Sequence, residues 1–256
     1  MGYITRLDII TTIIQSSILV VIIAKSIKLI LGTKKSILPF FFALATSSYL
    51  LSNFYWIAYD LLEPDTRMPM ACNEIGECAM ILLFCASLQT ILKDKKIVAN
   101  EIAFAILFIG VNIAFWIAWS KEWFQDILFG IPYIYFFWLL IRGLISRRSL
   151  SRKEMWLAVA ASFTVLAMQI PLLNIKGFVF EFTKMACLVV MVALTVWLGV
   201  KSFRRKEFFL ATTFFLWTEL AMFLGFDFYY YLFFFANTIA LIIMYSSMKK
   251  ELASDG

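Results

Sequence analysis

The chain has 256 residues, 62% hydrophobic and 18% aromatic against only 16% charged, with a formal net charge of +6 and a mean hydropathy of +0.87. A water-soluble domain of that composition would expose large apolar patches, so the sequence reads as an all-α, polytopic helical membrane protein. A transmembrane barrel would need alternating in/out patterning that these runs lack. The absence of His excludes imidazole bases, His-ligated metal or haem, and His-based pH switches.

A helical crossing takes about 20 apolar residues. On that measure nine segments are predicted, at 8–31, 37–62, 70–92, 98–119, 123–146, 153–173, 177–200, 207–226 and 228–248. The first lacks a basic leader and ends in Lys34–Lys35 without a small-residue cleavage site, so it reads as a span and not a signal peptide. It leads into four helical hairpins, all in a single membrane domain, 1–256.

The loops sort by charge. Lys25, Lys28, Lys34, Lys35, Lys93, Lys95, Lys96, Arg142, Arg147, Arg148, Arg152, Lys153, Lys201, Arg204, Arg205, Lys206, Lys249 and Lys250 fall on one side. They are 18 of the 23 basic residues. The positive-inside tendency then puts the N-terminus outside and the C-terminus in the cytoplasm of a cell-membrane protein. Losing one crossing would throw later basic loops to the wrong side, which is why nine is favoured over eight. The same loops account for the net charge without nucleic acid.

Orientation gives each polar residue a depth. In the second segment Tyr49, Asn53, Trp56 and Asp60 form one stripe from mid-membrane to the outer end. Glu74 and Glu77 share a face of the third segment, and Glu181 and Lys184 share one of the seventh. Gln15, Asn112, Tyr133, Gln169 and Asn237 also fall in middle or outer halves. The inner halves hold little beyond Gln89, Glu101 and the snorkelling Lys25, Lys28 and Arg142.

Glu219 lies deepest. It is the twelfth residue of the apolar run that begins at Phe208, with no basic residue within a turn. Ionisable groups at such depth cost at least ~2.5–3.5 kcal/mol to insert, so they usually mark a site. A carboxyl there can couple ligand binding to proton movement.

Each residue also has a plainer reading. Glu181 and Lys184 can simply neutralise each other, Asp60 and Glu74 can be solvated helix ends, and the Asn residues can bridge helices. Cys72, Cys78, Cys85 and Cys187 form no CxxC pair and read as packing residues. The aromatic runs around Trp119–Trp123 and Phe226–Tyr231 read as interfacial anchors, with an aromatic cation cage as the functional alternative.

The outer bias of the acidic residues points to an outward-facing cavity that binds or moves a small cationic or zwitterionic solute. Glu219 would form its floor, with Asp60, Glu74, Glu77, Glu181 and Lys184 above. Only Pro39, Pro132 and Pro171 fall where a Pro can interrupt a span. A second reading is a receptor that signals through a separate partner, its basic loops docking a cytosolic protein or anionic lipid. A third is an intramembrane enzyme using Asp60, Glu74 and Glu77 as acid/base groups on lipid. With no nucleophile–base pair in view, the balance leans away from an enzyme. A retinal-type Schiff base on Lys184 would make the protein coloured. No metal or cofactor is implied; the partners are membrane lipid and the solute.

Overall fold

Lipid offers no hydrogen bonds, so an apolar run must satisfy its own backbone, and the helix does so within one segment. The computed structural model describes residues 3–32, 37–63, 70–92, 102, 106, 110, 117, 123–174, 176–224 and 229–254. Among the described residues there are eight helices and no strand. They are α1 (Tyr3–Gly32), α2 (Ile37–Leu62), α3 (Met70–Leu92), α4 (Trp123–Arg147), α5 (Arg152–Asn174), α6 (Phe178–Arg205), α7 (Phe208–Leu224) and α8 (Tyr229–Ser254). The predicted segment 98–119 lies outside the described residues, apart from helical positions at 102, 106, 110 and 117.

Among the described residues five stretches are long and apolar enough to cross a membrane: Leu7–Gly32, Ile37–Leu62, Ile75–Leu92, Phe178–Arg205 and Tyr229–Ala253. α7 is not among them, because it has only 17 residues and its apolar part ends at Met222.

The chain forms two compact units, Met1–Gly143 and Leu144–Gly256. In the first, α2 packs on both α1 and α3. Gly76 permits the second contact, since a Cβ there would lie 3.1 Å from the Ser52 Cβ. The fully buried rings of Phe42, Phe84 and Phe136 then link α2, α3 and α4, with centroids 5.6 Å and 6.2 Å apart. Such pairs add about 0.5–1.5 kcal/mol beyond area burial. α4 continues through Pro132 without a break in its assignment.

In the second unit α6 packs on α5, α7 and α8, and α7 packs on α8. Thr195 meets Trp217, Gly199 meets Phe214 and Ser202 meets Leu210, so one helix ascends as the next descends: α6 and α7 are antiparallel. Two described turns are tight, at 148–151 and 206–207. Arg148 and Lys206 both end a helix with φ of 51°, in the left-handed region that glycine usually fills. α5 starts with a capping box: the Ser151 N–H donates to Glu154 Oε2 at 2.9 Å, and the Glu154 N–H donates to Ser151 Oγ at 3.3 Å.

Candidate functional site

The most buried carboxyl among the described residues is held between the last two helices. Glu219 is 1% exposed, and its Oε2 accepts from the Asn237 amide at 2.8 Å. The same amide lies 3.3 Å from Thr218 Oγ, whose hydroxyl is donated to the Phe214 and Phe215 carbonyls. Thr218 and Asn237 are fully buried. Sequence order explains the meeting: Glu219 lies in the second half of α7, and Asn237 is at the matching height on the returning α8. The result is a buried ionisable group gripped by a neutral amide.

The opposite end of this unit is basic. Arg147 bonds Glu251 at 2.5 Å, and Lys201 is paired with Glu154. Arg205 donates to the Ser149 carbonyl at 2.5 Å, and Lys250 donates to the Arg205 carbonyl at 2.9 Å. These contacts tie the ends of α4, α6 and α8 to the start of α5. Cations thereby cover exposed helix C-termini, where the backbone dipole favours them. Phe208 begins α7 beside this end, so Glu219 lies roughly 16 Å away along the helix axis at 1.5 Å per residue. On α6, Glu181 is exposed and Lys184 half-buried, one turn apart.

The first unit has its own polar layer. Fully buried Gln15 of α1 accepts from the Asn53 amide of α2 at 2.9 Å. Ser52 donates to the Asn73 carbonyl oxygen, and Asn73 in turn donates to Glu77 Oε1 at 2.7 Å. The α2 stripe follows a gradient of burial: Tyr49 and Asn53 are buried, Trp56 and Asp60 half-buried. Asp60 is within electrostatic reach of Asp8, at the start of α1. Thus the structure joins Asn53 to Gln15, and Glu77 through Asn73 to Ser52. It joins Glu219 to Asn237 in the other unit.

The side chains of Glu74 and Gln169 lie outside the described residues, as do Asn112 and Glu101. Arg142 departs from its expected surface position. It is 7% exposed, with its guanidinium 5.2 Å from the centre of the Trp138 ring. A cation on an aromatic face can be accommodated without reaching water. Ser52, Thr195 and Thr218 carry no distinguishing signal in the sequence, because Ser and Thr in apolar helices read as packing residues. Cys85 and Cys187 are buried, the Cys187 thiol 3.8 Å from Met191 Sδ, and Cys78 is half-buried. Among the described residues no group of three or more Cys, Asp or Glu is placed to hold a metal ion. No family model, curated protein or solved structure matches the chain.

Proposed function

We propose that the chain is a multi-pass protein of the cell membrane, with nine spans, its N-terminus outside and its C-terminus cytoplasmic. It binds and moves a small cationic or zwitterionic solute from the outer side, and Glu219 exchanges the proton that accompanies it. The observation that carries this reading is the Glu219–Asn237 contact: a carboxyl 1% exposed, held at 2.8 Å by a neutral amide. A purely structural bridge needs no titratable atom at that position, because an amide would serve equally. The orientation draws support from the gathering of Arg147, Lys201, Arg205 and Lys250 at one end of the second unit. In the first unit Asp60 and Glu77 add acidic charge in the outward halves of α2 and α3, which favours cations over anions.

The test uses purified protein in vesicles that enclose a pH-sensitive dye. Primary amines, quaternary amines and zwitterionic amino acids are offered outside in turn. Wild type gives a proton flux with at least one of these classes, and Glu219→Gln reduces it to background while melting at the same temperature. Undiminished flux through a folded Glu219→Gln protein overturns the proposal.

A further inference from the structure

The second unit carries a groove that its polar residues do not use. It has a volume of about 590 Å³ and lies on α6, α7 and α8, running from Val192 and Leu232 at one end to Arg204 and Ile243 at the other. Its floor exists because α6 has no side chain at Gly199: a Cβ there would meet the Phe214 ring at 3.0 Å. Its walls open outward, with Val196 59%, Phe235 50% and Ile239 51% exposed. The hydroxyl in the lining, on Thr195, is already committed: it is donated to the Met191 carbonyl and accepts from Trp217 Nε1, both at 2.8 Å. An apolar ligand fits such a surface and a polar one does not.

Dimensions and charge select the ligand. From Val192 to Arg204 the groove spans roughly 18 Å at 1.5 Å per residue. Half the hydrocarbon core of a bilayer is about 15 Å, the reach of one acyl chain. The volume falls within the usual range for small-molecule sites, about 300–1,000 Å³. Arg204 stands at the end of the groove where the basic helix termini gather. Its neighbours are engaged: Lys201 is paired with Glu154, Arg205 bonds the Ser149 carbonyl, and Lys206 lies over the Phe203 ring. Arg204 is exposed, and among the described residues no carboxylate is recorded against it.

We infer that this groove is a binding site for one anionic phospholipid, its acyl chain along Gly199 and Phe214 and its phosphate on the Arg204 guanidinium. A second copy of the chain would have no use for a groove that stops one leaflet deep at an exposed cation. The site is independent of solute transport and of Glu219.

The test is photolabelling in nanodiscs of equal phosphatidylglycerol and phosphatidylcholine, with a diazirine on the acyl chain of one lipid or the other. Peptides covering 192–204 and 232–243 are labelled about five-fold more by the anionic lipid, the equivalent of ~1 kcal/mol for one basic residue at an anionic surface. Arg204→Ala brings that ratio to about one; Arg204→Lys keeps it. Val196→Trp, a change at an outward-facing wall, lowers labelling by both lipids. Equal labelling of wild type by the two lipids overturns the inference, as does an undiminished preference in Arg204→Ala. Crosslinks joining two copies of the chain through these peptides overturn it too, by giving the groove to a protein partner.

Discussion

Each unit buries an asparagine amide that donates across a pair of helices, and the two contacts differ in what accepts. Asn53 donates to the Gln15 carbonyl at 2.9 Å, and Asn237 donates to the Glu219 carboxyl at 2.8 Å. Both acceptors are shut away from solvent, at 0% and 1% exposure. The amide pair is neutral at every pH, so its contribution is constant and its natural role is to fix the register of α1 against α2. The carboxyl can gain or lose a proton in place, so the grip of Asn237 on it depends on charge state. Equal geometry thus supports unequal chemistry.

The largest break in the comparison is Glu219→Gln, which makes the second contact resemble the first. Proton-coupled flux falls to background while the melting temperature holds, because a glutamine carbonyl still accepts from Asn237. Next comes Asn237→Ala. A hydrogen bond to a charged group is worth about 1.5–3 kcal/mol, so flux measured at saturating solute drops about ten-fold or more. Gln15→Ala and Asn53→Ala act on stability and leave flux per folded molecule unchanged. A double-mutant cycle of thermal or denaturant unfolding should return a coupling near 0.6 kcal/mol, the average for polar contacts between membrane helices. Smallest is Glu154→Gln at the basic end, where breaking the half-buried Lys201 ion pair costs about 0–1 kcal/mol, less in high salt. A flux loss in the Gln15 or Asn53 variants equal to that of Glu219→Gln would erase the distinction between the units.

Much of this was legible before any coordinates. Apolar runs fixed α2 and α3 to the residue, because an uninterrupted apolar stretch in lipid has few alternatives to a helix. Glu219 and Asn237 stood out as polar residues in the same runs, and both are buried. Their pairing did not, since it depends on the register between helices, which loop length leaves open. Gln15 and Asn53 were singled out separately for the same reason. The sequence suggested a snorkelling Arg142, yet it is buried against Trp138, a packing choice invisible to a side-chain rule. Ser151 and Glu154 spell a capping box that was legible but hidden within a basic loop. The lipid groove was beyond reach, because it depends on Gly199 of one helix meeting Phe214 of the next.

Transport by the proposed route requires Glu219 to exchange its proton with the outer solution. Infrared difference spectroscopy of wild type against Glu219→Gln, in oriented membranes whose outer pH is stepped, reads that exchange at the carboxyl itself. Proton exchange at Glu219 gives a carboxylic-acid band that responds to outer pH and solute, is absent in Glu219→Gln, and shifts in frequency in Asn237→Ala. A Glu219 band that ignores both outer pH and solute would contradict it and leave the carboxyl a structural partner of Asn237.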